Sequence, residues 1–454
     1  MQQAATLRSE KAAEDPGRPH GGGGSQALKE TPYWWEEVPP PDLGRPDLPA
    51  RADVVVVGAG YTGLCAALQT ARAGRSTLVL DAEDAGWGCS TRNGGQISTS
   101  IKPSLEALSR RHGRARAVAI RQEGVAALDW IEDLVEAEGL DCDFRRAGRF
   151  HAAHTPRHYE ALVREIERRD PDDRIEAFAV PRAEQHKELG SDAYHGGLVY
   201  PRHAALHPAK YHRGLLDRVL QADGSVVPRC AALEISRDAG GFRVTTTRGV
   251  VAARDVVIAT NGYTGALTPW LRRRVIPIGS YVIATEPLPR DLVDRLFPTN
   301  RIASDTCRVV YYYRAAPDRS RILFGGRVSA SETDPKVSGP RLHADMARRF
   351  PELASVRLTH SWVGFVAYSF DELAHIGVHD GLHYALGYCG SGVSMASYLG
   401  MRVGQRVLGH AEGRTAFDDL AFPTRPLYSG SPWFLPAVVA WYRWRDRLES
   451  AWAA

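Results

Sequence analysis

Three stretches of this chain combine glycine with small polar residues at spacings that suit a phosphate or a flat ring. The first, Asp53–Gly63, reads DVVVVGAGYTG. Gly58 lets the chain turn sharply off the valines. Gly60 has no Cβ to hold backbone amides away from a pyrophosphate, and Gly63 lets a helix pack close to the strand. The alanine-rich run that follows predicts a helix whose first amides, at Tyr61 and Thr62, face an anion with the positive dipole end behind them. Asp81, with Ala82 beside it, closes the apolar run Ser76–Leu80. It stands in the ~20-residue range at which an acid accepts from a ribose hydroxyl. Strand, turn, helix, second strand and acid together predict a dinucleotide site; the same glycines without a ligand would make only a tight strand-to-helix turn.

The second stretch, Gly86–Gln96, reads GWGCSTRNGGQ and suits neither a regular helix nor a strand. Ser90, Arg92, Asn93, Gly94, Gly95 and Gln96 would let backbone approach a flat ligand. A surface loop would hold similar residues, but the position directly after the nucleotide unit favours ligand contact. The third stretch, Leu386–Ser394, ends in Gly390, Ser391, Gly392 and Val393 and leads into a helical run, Met395–Leu408. Its free amides would again point at whatever lies in front. Ala259, Thr260 and Asn261, with Gly262, end a further buried run that begins at Asp255. In doubly wound sheets, ligands sit at such carboxyl ends.

The elements that must hold these loops follow from periodicity. Val54–Val57 reads as a strand buried on both faces. Residues 103–139 and Pro156–Arg169 read as helices, and His207–Pro208 opens another that runs to Leu220. Val226–Ile235 and Gly241–Thr247 read as strands. Val282–Thr285, Val309–Tyr313 and Ile322–Gly325 read as strands of a second unit, with a helix at Arg341–Phe350, and Trp362–Ala367 reads as a further strand after it. Residues 1–30 are polar, carry a Gly21–Gly24 run and are expected to be a disordered tail. Tyr33–Trp35 is expected to dock on the body as an extended arm. The Trp- and Arg-rich helix Ala437–Ala451 is expected to pack on it as well.

Composition narrows the class. The 454 residues allow two or three domains. A net charge of +4 argues against a nucleic-acid partner. The six cysteines show no C-x-x-C spacing, which argues against zinc and against a disulfide framework. A cytoplasmic setting is the simplest expectation. No run reaches the ~20 apolar residues of a membrane span, and the start of the chain lacks the apolar core of a secretory signal. No metal is expected, and the oligomeric state is left open.

The motifs GAGYTG with Asp81, GWGCSTRNGGQ, VVIATNGYTG and HYALGYCGSGVSMASYLG together resemble the D-amino-acid-oxidase-like family of FAD-dependent oxidoreductases. The ending PLYSGSPWFLPAVVAWYRWRDRL is similar to that of its gamma-glutamylputrescine oxidase branch. The resemblance implies an α/β FAD-binding Rossmann-like domain with a discontinuous α+β substrate domain on a mixed or antiparallel sheet. It divides the chain into 31–145, 201–275 and 361–420 for FAD, 146–200 and 276–360 for substrate, and 421–454 as an extension. It implies that Gly58, Gly60, Gly63 and Asp81 hold the ADP half and that Arg92–Gln96 run beside the isoalloxazine. Ala232 would meet the adenine, Ala259–Gly262 would pass the pyrophosphate, and Gly390–Val393 would offer amides to the pyrimidine end, where hydride arrival leaves negative charge.

The expected activity is oxidation of the C–N bond of an amine or amino acid by hydride transfer to flavin N5. Imine hydrolysis and reoxidation by O2 with release of H2O2 would follow. Pocket candidates are His207, Tyr281, Tyr312, Tyr313, Arg314 and Trp362: arginine suits a carboxylate, and an aromatic wall suits a cationic amine. His207 could instead cap a turn, and tyrosines at strand spacing could be cross-strand pairs. No lysine lies between Lys210 and Lys336, where sarcosine-oxidase relatives place one over the flavin. A dehydrogenase passing electrons to a quinone or protein is therefore the alternative. A flavin-bound interaction protein without turnover and an NAD-dependent enzyme are weaker ones.

Covalent relatives use a cysteine where this chain has Gly364, so FAD is expected to be held noncovalently. Acid precipitation should then release free FAD into the supernatant, and yellow colour retained in the pellet would overturn this.

Overall fold

The structure, a computed structural model, describes residues 27–327 and 332–453. Val54–Val57 are all buried, and their strand, Arg51–Val57, runs in the middle of a sheet. Its neighbours are the parallel strands Gly249–Ile258 and Thr77–Leu80. The full order is His375–His379, Leu382–Leu386, Gly249–Ile258, Arg51–Val57, Thr77–Leu80, Ser225–Val227. Gly241–Thr246 and Ala232–Asp238 extend it as an antiparallel meander from Gly249–Ile258. Register decides what the ends do. Val57 pairs with both Leu80 and Ile258, so Gly58, Asp81 and Ala259 emerge side by side.

Helix Tyr61–Arg72 leaves this edge, and helix Gly392–Val407 lies against it. Gly400 and Gly404 make the approach possible. A Cβ on Gly400 would overlap the Thr62 carbonyl, and one on Gly404 would come within 2.8 Å of the Ala66 carbonyl oxygen. Both helix starts therefore reach the same side of the molecule.

The second sheet has the order Leu358–Ser369, Val275–Thr285, Ile322–Gly326, Tyr312–Ala315, Ile302–Asp305, Arg149–Ala152, Gly197–Tyr200, Phe178–Val180. Ile302–Asp305 and Arg149–Ala152 run parallel and their neighbours antiparallel, so the sheet is mixed. Strand alternation splits its faces. Tyr281, Ile283, Tyr311, Tyr313 and Phe324 pack on Leu342, Met346 and Phe350 of the Pro335–Arg349 segment and its end. Val282, Ala284, Leu323, Trp362 and Tyr312 gather on the opposite face with Trp34. Residues 361–369, grouped with the FAD segments from sequence, run in this sheet, because Leu358–Ser369 pairs with Val275–Thr285 along its length.

Several sequence expectations change. The helical run 103–139 is two helices, Leu105–His112 and Arg114–Ala137, broken at Gly113 with φ +81°. The run Val226–Ile235 is two strands, Ser225–Val227 and Ala232–Asp238, separated by a turn with Arg229 at φ +50°. The strand placed at Val309–Tyr313 is Tyr312–Ala315. Residues 1–26 of the expected tail, with the Gly21–Gly24 run, lie outside the described residues. Lys29 is not free tail: it bridges to His360, donating its amide to Thr359 and accepting from Ser361. The arm Tyr33–Trp35 docks as a 3-10 turn rather than an extended strand, with Trp34 fully buried. Helix Leu435–Ala453 packs through Leu435 and Val439 on Val309 and Ile278. Its Trp441, Tyr442 and Trp444 stay exposed. All six cysteines are free thiols. No helix among the described residues is long and apolar enough to cross a membrane.

Alanine favours a helix over glycine by about 1 kcal/mol, so Gly400→Ala would stabilise an isolated helix. Here the methyl group meets a backbone carbonyl, so we expect a loss of ~1–3 kcal/mol from overpacking. Thermal unfolding should show a lower Tm than wild type. Gly240→Ala, whose Cβ would have nothing within 4 Å, is the neutral comparison.

Candidate functional site

The site is built where the carboxyl ends of the first sheet meet the front of the second. Gly58 turns the chain at φ +112°, in the region that favours glycine, with the Ala259 carbonyl oxygen 2.8 Å from where a Cβ would be. A Cβ on Gly63 would overlap the Gly58 carbonyl. The next residue is pinned through both its backbone groups. The Ala59 amide donates to Asp81 Oδ2 at 2.8 Å, and the Ala59 carbonyl takes His212 Nε2 at 2.7 Å. Asp81 Oδ1 also accepts from the Glu83 amide at 3.0 Å. Burial raises the Asp81 carboxyl to about 6, against the pull of these two amides.

The start of helix Tyr61–Arg72 leaves the Thr62 and Gly63 amides without intrahelical acceptors. Ser90 Oγ accepts from the Tyr61 amide at 3.0 Å, and a Cβ on Gly60 would lie 2.8 Å from that oxygen. Thr62 Oγ1 and Tyr388 Oη, 2.6 Å apart, tie this turn to the third glycine loop. There Gly390 has φ +97°, and nothing lies within 4 Å of a Cβ placed on Gly392. Ser391 Oγ donates to the Ser100 carbonyl, and Val393 is buried. Asn261 braces the same loop by accepting from the Gly387 amide at 3.0 Å. Thr260 is used locally, on Thr264. Ala232 starts its strand two residues after Cys230, whose amide donates to the Asp81 carbonyl. Ala82 follows Asp81 at that same corner.

The second glycine stretch, read from sequence as neither helix nor strand, holds a short helix, Cys89–Arg92, and ends in strand Gln96–Ile97, which pairs with Ala204–Ala205. Side chains strap the rest into place. Asn93 Nδ2 donates to the Cys89 and Ser90 carbonyls, and its Oδ1 accepts from the Gly95 amide. Trp34 Nε1 donates to the Asn93 carbonyl and Trp35 Nε1 to Thr91 Oγ1. Gln96 reaches the Tyr313 carbonyl of the second sheet. The Arg92 guanidinium lies 4.7 Å from the ring centres of both Trp35 and Trp87. It donates to the Trp87 carbonyl, and burial lowers its pKa. Gly94 faces Tyr312: a Cβ there would be 3.0 Å from the ring.

The pocket candidates separate by sheet face. Tyr312 and Trp362 come to the glycine loops. Tyr312 Oη bonds Ser280 Oγ at 2.8 Å, and Trp362 Nε1 donates to the Arg92 carbonyl at 2.9 Å. Tyr281 and Tyr313 do not come there; alternation turns them into the core behind the sheet, where they bond Glu332 and Tyr194. Arg314 is on the loop side but fully buried, donating to the Gly95 and Leu206 carbonyls. It acts as a strap, with its pKa pulled down to about 9 by burial and by Arg145. His207 caps helix Pro208–Gln221, accepting from the Lys210 amide, and packs on Trp34. Burial pushes its imidazole down to about 4.

Sequence reasoning missed Lys102, Tyr368 and His212. Lys102 Nζ lies 5.1 Å from the centre of the Tyr368 ring, and Tyr368 Oη is 3.4 Å from a Cβ built on Gly390. Burial opposes the Lys102 charge, yet Tyr368 holds its pKa above the ordinary lysine value. A lysine six residues beyond the second loop, in a chain with six lysines, was the available signal.

Residues 53–406 match the model of the DAO family, FAD dependent oxidoreductase. The chain belongs to this family. The glycine turns, the two helix starts and the open space before Gly392 fit FAD, which is the family's cofactor. The chain is similar to the Gamma-glutamylputrescine oxidoreductase of Escherichia coli (strain K12), 30% identical over 401 residues, 87% of this chain and 93% of that one. Among solved structures, it shares its fold with glycine oxidase from Geobacillus kaustophilus: TM-score 0.67, 19% identity, covering 83% of this chain and 99% of that one. L-proline dehydrogenase from P. horikoshii matches with TM-score 0.66 and 16% identity over 86% and 99% of the two chains.

A ribose hydroxyl would donate more strongly to the ionised Asp81 carboxylate than to the neutral acid, so below about pH 6 FAD binding would release a proton from this group, which titrates at about 6. FAD affinity should rise with pH up to about 6 and level off above it. Asp81→Asn should bind ~1–3 kcal/mol more weakly without that pH dependence. Titration of the apoprotein by flavin fluorescence tests both, and a wild-type affinity that is flat from pH 5 upward would contradict this role.

Proposed function

We propose that this enzyme oxidises the C–N bond of a small amine, of the gamma-glutamyl polyamine class, with O2 as acceptor. One observation carries the reading: what faces the second and third glycine loops is aromatic rings, amides and cations rather than an acid–base pair. Tyr312, Trp362 and Tyr368 supply rings, and Arg92 and Lys102 supply positive charge. The imidazole first suspected there, on His207, is occupied in capping a helix. FAD, when bound, supplies a two-electron acceptor for the hydride of the amine's α-carbon. The residues then have four tasks. The Gly58–Gly63 turn and Asp81 would hold the ADP half. Arg92–Gln96, strapped by Trp34, Trp35 and Arg314, would keep the ring plane. The start of helix Gly392–Val407 and Lys102 would stabilise negative charge as it develops. Tyr312 and Trp362 would line the amine's path and exclude water. The similarity to a gamma-glutamylputrescine oxidoreductase over most of both chains supports the substrate class.

A dehydrogenase is the second reading, and a specific observation favours it. Neither arginine at the ends of strand Ile322–Gly326 is aimed at the loops. Arg321 donates to the Thr285 carbonyl and stacks on Tyr33, and Arg327 donates to the Gly279 carbonyl and Glu332. Mixing the amine-reduced protein with O2 separates the two acceptors.

The amine must react in its neutral form, because its lone pair assists departure of the hydride, while its free pKa is about 10. Burial and the nearby cations would lower that pKa, and aromatic walls would partly oppose the shift. Anaerobic stopped-flow reduction at subsaturating amine should therefore speed up from about pH 6 and level off before about pH 10. A flat profile, or reduction by 2-hydroxy acids rather than amines, would overturn C–N oxidation and leave the family assignment standing.

A further inference from the structure

A second cluster of chemistry-bearing side chains lies away from the glycine loops, where the C-terminal helix Leu435–Ala453 meets the second sheet. His154 follows strand Arg149–Ala152, and His158 lies in the first turn of helix Pro156–Glu167. Glu449 comes from the C-terminal helix. One ligand atom from each of the three falls within 4.8 Å of the others. Each imidazole is tethered through Nδ1: His154 to Thr306 Oγ1 at 2.7 Å, and His158 to Thr155 Oγ1 at 2.8 Å. That leaves Nε2 of both rings facing the shared space, with ring centres 4.0 Å apart. His154 is only 8% exposed, and its Nε2 is buried without a hydrogen-bond partner. His158 Nε2 is 3.8 Å from Glu449 Oε2.

Such an arrangement has a cost if nothing fills it, because a buried imidazole nitrogen is left unsatisfied. Two imidazoles oriented by hydroxyls through their far nitrogens, plus one carboxylate, form the donor set of a three-protein-ligand zinc centre with one open position. We propose that His154 Nε2, His158 Nε2 and Glu449 bind a single Zn2+ ion, which staples the C-terminal helix to the second sheet. The charges around the site are balanced before the metal arrives. Arg308 bonds both Asp446 and Glu449, and Arg445 bonds Glu449. Zinc would take Glu449 Oε2 from Arg308, which keeps Asp446. Burial lowers both imidazoles below their ordinary range, so both offer neutral nitrogen. The absence of C-x-x-C spacing argued against zinc from sequence. Here the ligands come from segments almost three hundred residues apart, and no spacing rule covers them.

The test uses the full-length flavin-loaded protein, stripped of metal with a chelator and titrated with ZnSO4 against a chromophoric competitor. We expect one Zn2+ per chain, binding at least tenfold more weakly in His158→Gln and in Glu449→Gln. His410→Gln, an exposed residue outside the cluster, should match wild type. Zinc should also raise the Tm of wild type and slow proteolysis at the C-terminal helix, and do neither in His158→Gln. Flavin content should be unchanged throughout, which separates this site from the cofactor site. No stoichiometric zinc in wild type, or equal affinity and equal protection in His158→Gln, would overturn the proposal.

Discussion

The glycine turn depends on a hydrogen bond from the Ala59 amide to the Asp81 carboxylate. A tight turn between a buried strand and a helix exposes backbone groups that neither element can satisfy. Asp81 takes one of them, and His212 takes the carbonyl of the same residue. With Ala59 held through both its backbone groups, the peptides on either side of it are fixed where the first helix leaves the sheet. The carboxylate shapes the turn, and under the proposed reading it would also accept from a ribose hydroxyl. Its raised pKa follows from the same burial that makes the turn rigid.

Close packing then carries the constraint outward. Gly63, Gly400 and Gly404 each stand where a methyl group would strike a backbone carbonyl. Glycine in a helix costs about 1 kcal/mol relative to alanine. The close crossing it permits puts the start of helix Gly392–Val407 beside that of Tyr61–Arg72, joined by Thr62 and Tyr388. Two dipole ends converge on one space as a result, which suits a cofactor with phosphates at one end and a charge-accepting ring at the other.

The second sheet and the N-terminal arm hold what the first sheet cannot. The segment Thr91–Gln96 joins the end of the short helix Cys89–Arg92 to the two-residue strand Gln96–Ile97. It is fixed by Trp34, Trp35, Trp362 and Arg314 from segments far apart in the chain, and by its own Gln96 donating to the Tyr313 carbonyl. Arg314, which looked from its type like a group for a substrate carboxylate, spends its donors on backbone carbonyls. Its Nη1 and Nε are satisfied in this way, while its Nη2 is buried without a hydrogen-bond partner.

The sequence alone determined the nucleotide strand, its glycine turn, its acid and the two later glycine loops. Each is a local pattern in which neighbouring residues must satisfy one another within a few positions. It also determined the family, because the four motifs together have one common explanation. It could not say which way the tyrosines at 281, 312 and 313 face: one residue of register turns a side chain from the loops to the core. Nor could it show that His207 caps a helix, that Gly113 and Arg229 break runs that looked continuous, or that Lys102 approaches the third loop. The meeting of His154, His158 and Glu449 was equally hidden. Those outcomes rest on pairings between distant segments, and only the packing of two sheets against each other selects them.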